Sequence, residues 1–422
     1  MKKLLPKAHS YIQDILLNNK LFSKTVYEGL LLFQQKNNEN SKNYYIDVSN
    51  FSSLDNQTGI QRVVREVIFQ MLSTEGMRDN IHFVMATKKI GYRKIDFETS
   101  DNQVHFFRDK VGKATPLVAL GKNDVFLGLD FAPNIIPHHV LAFIKWRLTG
   151  AKLIWVLYDI LPLQHPEWFT EVTQDTYKPW LTTLFMVSTD ILCISETVRQ
   201  QVRNYAYDMG LTPKVSHIHL GYSFHSNISR NAIESVTEQF KTAIGQKKYS
   251  LMVGTLEPRK GHLDVVTAFS KLWQDKKIDN ELVLAGKAGW NIEALKDLIV
   301  HHPLYNKKLF WLEQVNDNDL LWLYEHCSGV VVASHGEGYG LPLIEAISHN
   351  KPTLVRNLEV FEEVADGKNN ITFFDTKQKP LDKSIQDWIT HEWSQPILPN
   401  KFEEHGLGWA TAVEDIIYSA QL

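Results

Sequence analysis

The sequence predicts an α/β protein built from two doubly wound units in tandem. Three observations predict it. The chain has 422 residues, and chains beyond roughly 250–300 residues usually split into domains. Short β-rich runs alternate with helical patterns along most of its length, the signature of a parallel sheet covered on both faces. A polar stretch, Asn227–Lys248, interrupts the alternation, which then restarts.

In the first unit, strands are read at Tyr44–Val48, His82–Ala86, Asp124–Leu127, Leu153–Tyr158, Asp190–Ile194 and Val215–His219. Helical patterns lie between them, as at Ile60–Met71 and Val198–Met209, the latter stopped by Gly210. In the second unit, strands are read at Ser250–Gly254, Glu281–Ala285, Lys308–Leu312, Gly329–Ala333, Pro352–Val355 and Asn370–Phe374. Its helices are read at Leu263–Trp273, Ile292–His301, Asn318–His326 and Leu341–His349. The expected organisation is an extension and linker at 1–43, a first domain at 44–226, a second at 227–404 and a final helix at 405–422. Open α/β sheets bind ligands beyond the carboxyl ends of their strands, so two such sheets turn their sites toward a shared cleft.

The net charge of −3 gives no basic footprint for nucleic acid. Cys193 and Cys327 stand far apart without metal-ligand spacing, the usage of a reducing cytoplasm. No stretch reaches the roughly 18 apolar residues of a membrane helix, and the N-terminus has no signal-peptide core. Residues 1–34 set five lysines among Leu4, Leu5, Ile12, Ile15, Leu16, Leu17, Leu21 and Phe22. Such a helix either packs on its own protein or lies on an anionic membrane surface.

The most informative run is Ser334-His335-Gly336-Glu337-Gly338-Tyr339-Gly340-Leu341-Pro342-Leu343-Ile344-Glu345. It follows an apolar strand, and Pro342 suits a first helical turn. Gly338–Gly340 therefore sit at a helix N-terminus, where free N–H groups favour an anion. Glu337 stands on the loop. Glu345 lies about one turn into the helix, where a carboxylate can accept bonds from a diol. The second run, Gly254-Thr255-Leu256-Glu257-Pro258-Arg259-Lys260-Gly261, also leaves a strand and opens a helix. Its Arg259 and Lys260 place positive charge where a phosphate would dock. A third strand end, Gly286-Lys287, is a weaker signal of the same kind.

These runs resemble retaining glycosyltransferases of the GT-B fold, and of glycosyltransferase family 4 in particular. Glu337 and Glu345 match that family's E-x7-E motif, and Glu257–Gly261 is similar to its diphosphate-binding turn. The resemblance implies an enzyme that takes a sugar from a nucleotide-diphosphate donor, with GDP-mannose the first choice, and no metal or other cofactor. It implies catalytic roles for Glu337, Lys260, Arg259 and Asp159. Glu337 would contact the donor sugar, and Arg259 and Lys260 would neutralise the diphosphate. It implies donor contacts by Gly59, Thr255, Gly338, Tyr339, Gly340, Leu341, Glu345 (to the ribose) and Lys287. Thr255 departs from the pattern, because many relatives carry arginine there. The acceptor would be a glycan or lipid-linked glycan of surface polysaccharide synthesis, met in the cytoplasm or at the inner face of the membrane. An epimerase or a non-catalytic relative of the same fold remains open at this point.

In the first unit, Gly59 opens a long helix and Arg62 follows it, read as a surface residue or as a donor or acceptor contact. Asp159 ends a strand, where it either caps the next segment or faces the acceptor. Ser195 is read as a helix cap or as a residue lining the acceptor site. Asp317-Asn318-Asp319 matches a metal-binding D-x-D pattern, but it precedes an amphipathic helix whose start it suits as a cap.

Overall fold

The computed structural model describes residues 42–52, 59–100, 103–108, 111, 115–221, 244–245, 247–366, 370–391 and 408–421. The amphipathic segment 1–34 and most of the polar break at 227–248 lie outside the described residues.

The first sheet contains β1 (Tyr44–Asp47), β2 (Ile81–Met85), β3 (Arg93–Lys94), β6 (Val125–Gly128), β7 (Lys152–Leu157), β8 (Asp190–Cys193) and β9 (Val215–His217). Their spatial order is β3-β2-β1-β6-β7-β8-β9, parallel except where β3 runs against β2. A separate antiparallel ribbon, β4 (Phe97–Ser100) with β5 (Gln103–Phe106), hangs beside it. Around the sheet run α1 (Gly59–Ser73), α2 (Val140–Leu148), α3 (Glu171–Val187) and α4 (Glu196–Asp208). The second sheet, β12-β11-β10-β13-β14-β15, is wholly parallel. It is formed by β10 (Tyr249–Val253), β11 (Glu281–Ala285), β12 (Leu309–Leu312), β13 (Gly329–Val332), β14 (Thr353–Arg356) and β15 (Ile371–Phe374). Its helices are α5 (His262–Gln274), α6 (Glu293–Val300), α7 (Asp317–His326), α8 (Leu341–Ser348), α9 (Glu359–Ala365) and α10 (Leu381–Thr390).

Both sheets are doubly wound, and the strands read as continuous apolar runs because both faces are covered. Tyr45 and Ile46 illustrate the period of two: Ile46 joins the core on one face, Tyr45 the core on the other. Val283 and Leu282 divide the same way in the second sheet. The last helix, α11 (Trp409–Gln421), lies not on the second sheet but on the first. Its Trp409, Ala412, Val413, Ile416 and Ala420, spaced as one helical stripe, enter the core under α1.

Each sheet reverses its winding at its first strand, between β1 and β6 and between β10 and β13. Such switch points open a crevice for ligands. The Gly254–Gly261 and Ser334–Gly340 runs leave β10 and β13, so the two strongest sequence signals meet at the switch point of the second sheet. No helix among the described residues is long and apolar enough to cross a membrane. Both cysteines are buried and free.

Candidate active site

Glu337 is the centre of the cluster. Its side chain is 8% exposed. One carboxylate oxygen accepts from Ser334 Oγ at 2.7 Å and from Lys260 Nζ, the other from Arg259 Nη1 at 2.8 Å. Burial alone would raise its pKa, but Arg259 and then Lys260 overcome that and hold it down at about 2. The same Arg259 nitrogen donates to Gly336 O at 3.1 Å, and His335 N donates to Arg259 O at 2.7 Å, so the two loops are stitched together. Arg259 Nε lies 2.9 Å from Glu257 Oε1, close enough for an ion pair though not aligned as a hydrogen bond. Burial works against the Arg259 charge, and Glu337 outweighs it, so the guanidinium stays firmly protonated. The buried carboxyls of Glu257 and Asp159 are pushed upward, first by desolvation.

Backbone geometry explains the glycines. Gly340 has φ 99°, and a Cβ there would stand 2.4 Å from the Phe361 ring. At Gly338 a Cβ would stand 1.9 Å from Tyr158 O, across the cleft. The loop therefore docks on the first domain. Ser195 Oγ donates to Gly338 O at 2.7 Å while accepting from Val198 N as the cap of α4. Tyr339 donates to Leu220 O at 3.2 Å. Its hydroxyl is thus spent on joining the domains. Gly59 adjoins Leu341, whose Cδ1 lies 3.6 Å from the position a Cβ would take.

The other candidates fall in different places. Asp159 accepts from Leu161 N at 3.0 Å, a turn cap, and its carboxyl also senses Arg259, Glu337 and Lys260. It therefore serves the local turn and faces the charged cluster at once. Thr255 is half-buried, and Lys287 lies exposed, with its backbone carbonyl accepting from Leu256 N. Glu345 is not an open acceptor: its side chain is 4% exposed, paired to Arg62 through one oxygen and to Tyr324 OH at 2.6 Å through the other. Arg62 is consequently no surface residue; its side chain is 16% exposed. The Asp317–Asp319 run opens α7 within a capping box between Asn316 and Asp319.

Several contacts carried no sequence signal. Glu363 caps α4 across the cleft, accepting from Glu196 N at 2.8 Å and Thr197 N at 2.9 Å. Trp290 Nε1 donates to Trp168 O at 2.7 Å, again between domains. His335 Nε2 and Arg356 Nη2 each lie 3.0 Å from Asp264 Oδ2. A gap of 167 residues separates Glu363 from Glu196, and no local pattern spans it.

Solved structures with the same arrangement fix the fold. An α,α-trehalose-phosphate synthase (UDP-forming) from Burkholderia xenovorans superposes with TM-score 0.60 at 10% identity, over 90% of this chain and 100% of that one. Anabaena Alr3699/HepE, solved with UDP and glucose, superposes with TM-score 0.56 at 13% identity, over 90% of this chain and 95% of that one. The chain has the GT-B fold. Residues 235–408 of this GT-B chain match the family described as glycosyl transferases group 1. In sequence it is 31% identical over 380 residues to an Escherichia coli serotype-specific mannosyltransferase WbdA, covering 88% of this chain and 44% of that protein. An O-antigen chain mannosyltransferase B of Escherichia coli is 29% identical over 177 residues, 41% of this chain and 45% of that protein. The chain thus spans less than half the length of the WbdA protein it matches.

Proposed function

We propose that this GT-B chain is a retaining glycosyltransferase that moves a hexose, mannose in the first instance, from a nucleotide-diphosphate sugar to a glycan or lipid-linked acceptor in surface polysaccharide synthesis. One observation carries the reading: Arg259 and Lys260 converge on Glu337 at the switch point of the second sheet. In the reaction the bond from the anomeric carbon to the diphosphate breaks. A bond to an acceptor hydroxyl oxygen forms on the same face, and the hydroxyl's proton passes to the departing diphosphate oxygen. Negative charge grows on the leaving diphosphate. Two cations already fixed in a site shielded from water stabilise that charge without reorganising, and the reading assigns no metal to the task. Glu337 keeps both cations in place and presents a carboxylate edge to the donor sugar. The relatives' mannosyltransferase names support GDP-mannose as donor and O-antigen-type glycan as acceptor. A lipid-linked acceptor would be met at the cytoplasmic face of the membrane, where the basic, apolar segment 1–34 is suited to rest.

The test is transfer itself. Purified protein is incubated with GDP-mannose, and in parallel with UDP-glucose and a dTDP-hexose, plus a mannosyl oligosaccharide. The expected result is GDP release coupled to an extended glycan whose new linkage, read by NMR, keeps the donor's anomeric configuration. An inverted linkage would remove retention from the reading. Absence of transfer from every donor would remove the reading as a whole.

A further inference from the structure

The pair between Arg62 and Glu345 crosses the cleft: Arg62 stands on α1 of the first domain and Glu345 on α8 of the second. Its Glu345 end is buried and its Arg62 end half-buried, and Tyr324 OH holds the second carboxylate oxygen. Burial alone would weaken the Arg62 charge, and Glu345 outweighs it, so the arginine is held more firmly protonated than usual. Under the donor reading, Glu345 is the residue expected to meet the ribose. While Arg62 stays in place, no diol reaches that carboxylate. A buried pair is costly to break by withdrawing one partner, because the other is left charged and uncompensated. Arg62 therefore leaves Glu345 only if both charges are answered together.

A nucleotide-diphosphate sugar answers both. Its ribose hydroxyls are neutral donors for the carboxylate, and its diphosphate is an anion for the guanidinium. The distances suit the exchange. Gly59, three residues before Arg62 and so on the same face of α1, adjoins Leu341, the first residue of α8. Glu345 lies about one turn further along α8, roughly 5.4 Å of rise. A guanidinium on a flexible side chain covers such a step by changing rotamers.

We propose that Arg62 is a donor-binding cation held in reserve on Glu345, passing from that carboxylate to the donor diphosphate as the ribose takes its place. The inference rests on the donor reading above and names a residue that reading did not use. It also couples donor binding to the contact between the two domains.

The experiment is calorimetric titration of inorganic pyrophosphate and of GDP, with UDP and dTDP alongside, into the full-length chain. Wild type is compared with Arg62→Ala, Glu345→Gln and the double variant Arg62→Ala/Glu345→Gln. A lost charge-assisted hydrogen bond is worth on the order of 10-fold in affinity. Arg62→Ala is expected to weaken pyrophosphate and GDP about 10-fold. Glu345→Gln frees Arg62 and is expected to tighten pyrophosphate several-fold while GDP gains less, because the ribose partner is impaired. The double variant removes both ends of the pair, so neither is left without the other, and it should bind pyrophosphate about 10-fold more weakly than Glu345→Gln alone. A purely structural pair would shift both single variants in the same direction, or neither, and that result overturns the inference. Wild type binding a nucleoside diphosphate with Arg62→Ala unchanged overturns it alone. Wild type binding none of the three diphosphates overturns the donor reading and this inference with it.

Discussion

The two sheets place buried carboxyl groups at the same topological position and treat them in opposite ways. In the first sheet, Asp47 at the end of β1 and Asp130 just beyond β6 are almost fully buried. Their partners are Ser49, the Tyr92 hydroxyl at 2.8 Å, and backbone N–H groups. Desolvation comes first among the causes, no cation among the described residues answers it, and Asp130 is pushed up to about 7. In the second sheet, Glu337 beyond β13 is nearly as hidden, its side chain 8% exposed, yet Arg259 and Lys260 hold it near 2. Burial is thus similar, and partner type decides the direction of the shift. A hydroxyl-lined strand end fixes a loop. A strand end with cations answering a carboxylate becomes a place where an incoming anion finds positive charge already oriented.

The largest expected effect joins the two regions. Gly338→Ala would drive a methyl group into Tyr158 O, so the glycine loop could not dock on the first domain. Turnover with donor and acceptor should fall at least about 100-fold, equivalent to roughly 2.7 kcal/mol. Nucleotide affinity, to which Arg62 of the first domain contributes under the inference above, should fall less, about 10-fold by calorimetry. Equal turnover in the variant would uncouple the domains and break the comparison.

Glu337→Gln removes the buried counter-charge that Arg259 and Lys260 share and leaves Arg259 its pair with Glu257, a change expected to cost about 3 kcal/mol, the low end for a broken buried pair, read by urea unfolding. Its folded pKa lies below its ordinary value of 4.5. The stability it contributes is therefore present above about pH 4.5 and lost as pH falls toward 2. The variant should show a shallower acid limb in that window than wild type. Asp130→Asn has the opposite sign. Its folded pKa is raised from 3.8 to about 7, so wild type is favoured below the lower value and loses stability as pH rises through the upper one. The asparagine variant should be flatter between pH 4 and 7, and gain about 4 kcal/mol on wild type between pH 4 and pH 8. The smallest effect is expected at Glu363, an exposed cap of α4 from the other domain. Glu363→Gln should cost about 0.5–1 kcal/mol in thermal unfolding, with turnover little changed.

Much of this was legible in the sequence, for a local reason. Buried parallel strands such as Leu309–Leu312 and Gly329–Val332 are short apolar runs, and glycine or asparagine stops follow the helices between them. The charged turn and the glycine loop are each contiguous, so Arg259, Lys260, Glu337 and Gly338 stand out before any fold is known. The ribbon Phe97–Phe106 did not, because half its residues are polar and exposed. α3 carries Pro179 in its interior, which blurs its period. The contacts that close the cleft were invisible for a different reason. Arg62 and Glu345 are 283 positions apart and Ser195 and Gly338 are 143 apart. Arg62 alone reads as an ordinary helix surface residue and Ser195 as a cap, and only the packing of one domain on the other gives them Glu345 and Gly338 as partners.

The central claim is that the switch point of the second sheet holds a donor diphosphate. Calorimetric titration of GDP-mannose into wild type, Lys260→Ala and Asp130→Asn tests it most directly. The predicted result is binding by wild type, at least about 100-fold weaker binding by Lys260→Ala, and unchanged binding by Asp130→Asn. Equal affinities in wild type and Lys260→Ala, or a loss at Asp130→Asn as large as that at Lys260→Ala, would contradict the claim.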